Sequence, residues 1–229
     1  ITGAIYAEWN NADKAVQYLR QVLAQPGFLR QAPGHSRVFA YVTLSKLYLR
    51  QEHQLLQALQ AADSALMARV ADPREQVMIR AHALVQKATV LLRMKQSGAA
   101  RQILQHAQHL TDSLHLPISD RPGELEIDAA WARYYAGQGD AARAETHWLL
   151  AYQKATASQL DRLRPQYLQQ LAAFYDGQGR PAEAQRYSRL YMALNDTFNA
   201  AQGQFHVAQY ENERVEQAQN KQIVVLNRA

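Results

Sequence analysis

The chain has 229 residues, a formal net charge of +5 and no cysteine, so disulfide bonds and thiolate metal sites are excluded. Its basic residues are spread along the whole sequence instead of forming a clustered stripe, which argues against nucleic-acid binding. No apolar run reaches the length of about eighteen residues that a membrane-spanning helix needs, and no signal peptide is visible.

Helical segments separated by turn residues follow one another through the chain, and no stretch shows the alternating pattern of a β-strand. Proline and glycine mark the breaks at Gln25–Gly27, Ala32–Gly34 and Pro117–Gly123, and Pro165 marks the last one. The breaks predict helical hairpins near residues 1–30, 36–71, 73–116, 124–159 and 165–194. Residues 195–229 are polar and predict a separate C-terminal helix. Because the chain begins inside the first hairpin, we expect it to be a piece of a longer protein.

The third hairpin has the clearest helix start. Asp72 is a preferred N-cap residue, Pro73 suits the first helical position, and Glu75 stands three residues after the cap. We expect the two helices of this hairpin to turn at Ser97 and Gly98, since glycine permits a tight connection between helices.

A period of about forty residues runs through these hairpins. Its reference position is a small residue, with spacings of 43, 42, 44 and 40 residues between Ala15, Ala58, Ala100, Ala144 and Ala184. Nine or ten residues earlier stands a large residue, at Tyr6, Tyr48, Leu91, Tyr135 and Tyr175. Large side chains on one helix that fill the space beside small ones on the next let the two axes approach. Because a single hairpin cannot bury its own apolar face, the hairpins are expected to stack.

The pattern resembles the tetratricopeptide repeat, a helical hairpin with small and aromatic residues at fixed positions. The fourth hairpin carries the pattern at Trp131, Ala132, Tyr135, Gly139, Ala144, Trp148 and Ala151. The fifth carries it at Leu168, Leu171, Ala172, Tyr175, Gly179, Ala184 and Tyr191, with Ser188 where an aromatic residue is expected. The resemblance implies an all-α, right-handed superhelix of about five hairpins, in which the first helices line a concave groove.

The tail carries a second resemblance. The segment 190–199, a polar helix around 209–214 and the segment 222–228 follow one another in an order that resembles the junction in Bacteroidetes membrane-bound sensor histidine kinases. This resemblance implies a membrane-anchored parent protein of the two-component class, with the present array as its periplasmic sensor part. The chain contains neither a kinase core nor a phospho-acceptor box, so catalysis would belong to other segments of the parent.

The C-terminal helix could also mediate homodimerisation. Steps of seven residues from Phe198 give Phe205, Asn212, Gln219 and Leu226, a seam that is apolar at its ends and polar in its middle. Such a seam is compatible with a solvated linker helix and with a weak coiled-coil dimer, and both alternatives stay open.

The concave groove is the predicted binding site for a protein or peptide. The residues expected to project into it are Lys46, Arg50, His82, Thr89, Arg93, Glu126, Arg133, Gln169 and Asp176, together with Phe39 and Val42. Four cations would give this face a positive stripe that can hold a carboxylate or an acidic peptide, namely Lys46, Arg50, Arg93 and Arg133. The alternative is that each of them is an ordinary solvated charge.

Three residues on one helix have the spacing of metal ligands, His106, His109 and Asp112, with His115 nearby. Ala107 lies on the packed side of that helix. The histidines are therefore expected to face solvent, and neither a metal site nor a cofactor site is predicted.

The remaining motifs have structural interpretations. The glycine-rich turns at Gly139 and Gly179 lack the preceding strand and the following Lys-Ser or Lys-Thr of a phosphate loop. Trp131 and Trp148 fall at core positions of the repeat. Carboxylates cluster at a helix start, where the helix dipole favours them, at Glu124, Glu126 and Asp128. No nucleophile, base and orienting residue can be grouped, so no enzyme is predicted.

The sequence therefore predicts a non-enzymatic sensory or protein-recognition module. The first hypothesis is the extracytoplasmic sensor part of a bacterial two-component signalling protein. The second is a cytoplasmic peptide receptor or scaffold of the same fold. The two differ in the residues that follow Ala229, because only a membrane sensor continues into an apolar span of about twenty residues.

Overall fold

The structure is a computed structural model that describes residues 12–113, 124–158 and 163–196. Within these ranges every regular element is a helix, so the predicted all-α fold class is confirmed. The α-helices are α1 (Ala12–Leu23), α2 (Pro26–Gln31), α3 (Gly34–Leu49), α4 (Leu55–Leu66), α5 (Pro73–Arg93), α6 (Ser97–Ser113), α7 (Glu124–Gly137), α8 (Ala141–Ala157), α9 (Leu163–Gly177) and α10 (residues 181–196).

Consecutive helices pair as hairpins, and the hairpins stack on one another. Helix α3 packs on α4, α5 on α6, and α7 on α8. Helix α5 also contacts α3 on one side and α7 on the other, so the first helices of neighbouring hairpins lie side by side. Each second helix in turn contacts the first helix of the next hairpin, as α4 does with α5. This arrangement is the stacked hairpin array expected of a tetratricopeptide-like fold.

The repeat period places its small residues in the buried core. The reference alanines from Ala15 to Ala184 are all buried. The large residues that precede them at Tyr48, Leu91 and Tyr175 are also buried, whereas Tyr135 is half-buried. Tyr48 shares a buried cluster with Ala58, and Tyr175 shares one with Ala184, so the predicted packing of large against small side chains is confirmed for the second and fifth hairpins. Tyr6 lies outside the described residues.

Aspartate side chains cap two of the helices. Asp72 accepts a hydrogen bond from the backbone N–H of Glu75 at 2.7 Å, and Pro73 is the first residue of α5, as predicted. Asp140 accepts one from the N–H of Arg143 at 3.0 Å at the start of α8. The pKa of Asp140 is lowered first by this backbone hydrogen bond and then by the Arg143 guanidinium. Both caps satisfy an N–H group that the helix itself leaves without a partner.

Two hairpins turn at a glycine in the left-handed backbone region. Gly139 has a φ of 75° and Gly179 a φ of 67°. In each turn the next residue closes the helix end, since the N–H of Asp140 donates to the carbonyl of Tyr135 at 3.0 Å and that of Arg180 to Tyr175 at 2.9 Å. This is the Schellman arrangement, in which glycine avoids the steric cost of a positive φ.

The third hairpin uses the same turn without glycine. Lys95 has a φ of 60°, and the N–H of Gln96 donates to the carbonyl of Leu91 at 2.9 Å. Ser97 and Gly98 lie in the first turn of α6, so the predicted turn at these two residues was wrong. The prediction followed the nearest glycine, but the hydrogen bonds show that a lysine occupies the left-handed position.

The segment 25–34, which holds the first two predicted breaks, contains the short helix α2. After it, Gly34 is the first residue of α3 and is buried. A Cβ atom at Gly34 would lie 2.1 Å from Val70 Cγ1 and 2.6 Å from the carbonyl oxygen of Arg69. Gly34 therefore serves a close approach between helix and backbone instead of extending a loop.

The predicted linker helix of residues 195–229, with its seam from Phe198 to Leu226, lies almost wholly outside the described residues. The homodimer that this seam could form therefore remains a prediction.

Candidate binding groove

Three first helices bring charged side chains together on one face of the array. Lys46 lies on α3, His82 on α5 and Glu126 on α7. The Nζ atom of Lys46 is 2.5 Å from Oε1 of Glu126, and Nε2 of His82 is 3.8 Å from Oε2 of the same carboxylate. The Lys46–Glu126 pair thus crosses over α5 and joins the second hairpin to the fourth.

The repeat explains why these residues share a face. Phe39, His82 and Glu126 each stand nine residues before the large residue of their own repeat. Phe39 is exposed, with 42% of its surface accessible, as expected for this row. A second row stands two residues before the large residue, at Lys46, Thr89 and Arg133. The two rows run across neighbouring first helices, at the positions where the groove was predicted.

Arg133 is half-buried on α7, and its guanidinium lies over the ring of Trp148, 5.1 Å from the ring centre. Burial lowers the pKa of Arg133, while Tyr167 and Glu126 act to raise this pKa and Arg93 adds to the lowering. Among the described residues, no carboxylate lies within ion-pair distance of Arg133 and none of their side chains hydrogen-bonds to it. Arg133 therefore has a positive charge and N–H groups that can donate hydrogen bonds to a ligand.

Tyr167 from α9 lies beside this arginine and is buried. Burial raises the pKa of Tyr167, and the nearby Glu126 carboxylate raises it further. The phenol therefore stays neutral at physiological pH and can donate or accept a hydrogen bond. Sequence reasoning did not include Tyr167 among the groove residues, because it follows the pattern of a core aromatic.

The other predicted groove residues on α3 and α5 have different surroundings. Arg50 and Arg93 lie at the C-terminal ends of these helices and are exposed. The hydroxyl of Thr89 donates a hydrogen bond to the carbonyl of Val85 in its own helix at 2.9 Å, so this proton is not available to a ligand. Arg93 lies near enough to Arg133 to influence its pKa, which extends the positive surface along α5 and α7.

Gln169 and Asp176 are exposed on α9 and make no contact with Lys46, His82 or Glu126 among the described residues. Asp176 instead lines a cavity of about 370 Å³ between α9 and α10, beside residues that include Ser188. Ser188 stands at the repeat position that Trp148 fills in the preceding hairpin. A small side chain therefore lines this cavity at the position where the preceding hairpin has an aromatic ring.

The structure corrects the prediction for Val42. Only 1% of its surface is accessible, and it packs with Ala65 and Ala83 between α3, α4 and α5. Val42 therefore belongs to the core and does not project into the groove. Helix α3 is covered on this side because it contacts both α4 and α5.

A buried charged cluster was missed by the sequence analysis. Asp128 on α7 is buried, and its Oδ1 is 2.9 Å from Nδ1 of His147 on α8. Its Oδ2 lies 2.7 Å from Nζ of Lys154, an ion pair that lacks hydrogen-bond geometry. The ring of His147 stacks on that of Tyr135, with centres 5.4 Å apart. Asp128 thus holds α7 to α8, whereas its position near a helix start had suggested only a favourable interaction with the helix dipole.

The remaining motifs take the structural roles expected of them. Trp131 and Trp148 are buried in the core, and the glycines at 139 and 179 form turns. His106 and His109 are exposed, and His115 lies outside the described residues. Within the described residues, no group of three or more His, Asp or Glu side chains could hold a metal ion.

The fold and the groove together define an all-α helical-repeat array with a charged face formed by its first helices. The chain is similar to two solved structures of a putative kinesin light chain with nearly identical TPR-like repeats from Podosopora anserina. The Q17M variant is 19% identical, with 87% of this chain and 93% of that chain covered and a TM-score of 0.48. The other structure is also 19% identical, with 86% and 93% covered and a TM-score of 0.46.

No protein-family model matches the sequence, and no curated protein matches it either. Among the described helices, none combines the length and the hydropathy that a membrane crossing requires.

Proposed function

We propose that this chain is a non-enzymatic recognition module whose groove binds an acidic segment of a protein or peptide. The observation that carries the proposal is Arg133, a half-buried cation that lies over Trp148 without an ion-pair partner among the described residues. Arg93 places further positive charge near Arg133, and Lys46, which is paired with Glu126, lies on the same face. An acidic partner would therefore meet a surface of opposite charge.

The chemistry of Arg133 favours a carboxylate as the group that is bound. A guanidinium can donate two parallel hydrogen bonds to a carboxylate, and such charge-assisted bonds are stronger than neutral ones. The contact with the Trp148 ring restricts the guanidinium before the ligand arrives, so less conformational entropy is lost on binding. Burial has already removed part of the water around the charge, which strengthens the interaction with an anion.

The proposal can be tested with fluorescein-labelled hexaglutamate and fluorescence anisotropy. We expect the wild-type chain to bind this peptide at low salt and to bind it about tenfold more weakly after Arg133→Met. Arg186→Met is the matched control, because Arg186 also stacks on an aromatic ring, that of Tyr187, but lies on α10. Equal affinities of the two variants would overturn the proposal.

We further propose that the module is the extracytoplasmic sensor part of a bacterial two-component signalling protein, in which the groove receives the signal. The support is the order of segments from residue 190 onward, which resembles the junction of membrane-bound sensor kinases. A fusion of alkaline phosphatase to the natural full-length protein within this array would test the location. Activity of the reporter in intact bacterial cells is expected, whereas an inactive reporter would favour a cytoplasmic receptor or scaffold.

A further inference from the structure

The groove already contains a carboxylate of the chain itself. Glu126 extends from α7 to Lys46 on α3, two hairpins away, and its other oxygen faces His82. Glu126 is also close enough to Arg133 to raise the pKa of that arginine. The Glu126 carboxylate therefore lies near Lys46, His82 and Arg133, which are the side chains that would bind an acidic ligand.

The two preceding hairpins have no carboxylate at the repeat position of Glu126. The equivalent residues in the two preceding hairpins are Phe39, which is exposed, and His82. The Glu126 side chain is about a quarter exposed, and that of Lys46 is 39% exposed. Ion pairs with this degree of exposure contribute little to stability, so they can be exchanged for another pair at small cost.

We propose that Glu126 is an internal competitor for the groove, so that an acidic ligand binds by replacing the Glu126 carboxylate on Lys46. This inference rests on the proposed function, since it concerns how the same site is regulated. While Glu126 is in place, its carboxylate neutralises Lys46. The ion pair also spans the surface of α5 that the ligand would occupy. A ligand carboxylate that takes over Lys46 frees Glu126 to turn outward and opens the groove between α3 and α7.

The test compares two substitutions that break the same ion pair from opposite ends. Glu126→Gln removes the competitor, and we expect labelled hexaglutamate to bind about tenfold more tightly than to the wild-type chain. Lys46→Met removes the cation, and we expect binding to weaken by a similar factor. A purely structural role of the ion pair would instead change the affinity in the same direction in both variants.

Glu183→Gln is the matched control, because Glu183 also pairs with a cation, Arg180, but lies on α10. It is expected to leave the affinity unchanged, and circular dichroism would verify that each variant keeps the helical content of the wild type. If the wild-type chain binds through Arg133 while Glu126→Gln has no effect or weakens binding, the competitor role is wrong and the proposed function stands. If folded wild-type and Glu126→Gln chains both fail to bind hexaglutamate, the proposed function and this inference are both overturned.

Discussion

The hairpins α3–α6 and α7–α10 follow the same plan with different chemistry. The earlier pair has a largely aliphatic core and contains a buried polar contact, in which Gln86 Nε2 donates to Ser45 Oγ at 2.9 Å. The later pair is built on aromatic side chains such as Trp148 and Tyr175, the latter covered by the Arg180 guanidinium at 4.6 Å. The difference shows that the repeat specifies where small and large side chains stand and leaves their identity open.

The same contrast appears in the turns. The later hairpins use Gly139 and Gly179, whereas α5 and α6 are joined through Lys95 with the same hydrogen bonds. The backbone geometry is thus shared by both regions, although only one of them has the residue that adopts it without strain. Stability is therefore expected to be distributed unequally, and substitutions at equivalent positions can measure this.

The largest expected effect is at the core position that follows the reference alanine by four residues. Trp148 occupies it in α8 and Leu104 in α6, and both are buried. Trp148→Ala is expected to lower the free energy of unfolding by about 4 kcal/mol and Leu104→Ala by about 3 kcal/mol, since each leaves a cavity. Urea unfolding followed by circular dichroism measures both.

The exposed Leu56 provides the control for these two variants, because Leu56→Ala creates no cavity and should change the free energy by less than about 0.5 kcal/mol. A loss below about 1 kcal/mol for Trp148→Ala would contradict the view that this ring holds the later hairpins together.

The next effect concerns the buried polar contact of the earlier hairpins. Ser45 stands where the later repeats have Ala88 and Ala132, so Ser45→Ala restores the usual small residue. It nevertheless leaves the Gln86 amide without its acceptor, and we expect a loss of about 1 to 2 kcal/mol in the free energy of unfolding. The double variant Ser45→Ala with Gln86→Met should recover most of this loss. An equal loss in the single and double variants would rule out the unsatisfied amide as the cause.

The smallest effect concerns the turns and has opposite signs in the two regions. Lys95→Gly should raise the free energy of unfolding by about 1 kcal/mol, because glycine adopts a positive φ without steric cost. Gly139→Ala should lower it by a similar amount, and an added Cβ there has nothing within 4 Å, so only the backbone conformation changes. Thermal unfolding of both variants gives the signs. A decrease on Lys95→Gly would mean that the lysine side chain contributes more than its strained backbone costs.

The period in the sequence predicted the architecture well, because burial of small residues leaves a regular signal. It predicted that Ala58 and Ala144 would be buried, and a local capping motif predicted the start of α5 at Asp72. The glycine signal failed to place the turn at Lys95, since a left-handed lysine has no signature in the sequence. Spacing within one helix shows which residues share a face and does not show how far that face is covered, which is why Val42 was misplaced.

The groove was predictable only in part, for a related reason. The repeat indicated that Lys46, His82 and Glu126 lie on first helices. It did not indicate that Glu126 contacts both Lys46 on α3 and His82 on α5. Contacts between helices depend on how the hairpins curve, and a list of positions does not contain the curvature. The cluster of Asp128 with two residues of α8 was missed because His147 and Lys154 lie 19 and 26 residues after Asp128 in the sequence.

The most direct test of the groove's role is to map where an acidic peptide touches the chain. Hexaglutamate carrying a benzophenone group would be irradiated with the folded protein, and the crosslinked positions would be read by mass spectrometry. We expect crosslinks on α3, α5 and α7 near Lys46, Arg93 and Arg133, and we expect them to disappear at high salt. Crosslinks confined to α4, α6 and α8 would contradict the assignment of the binding face to the first helices.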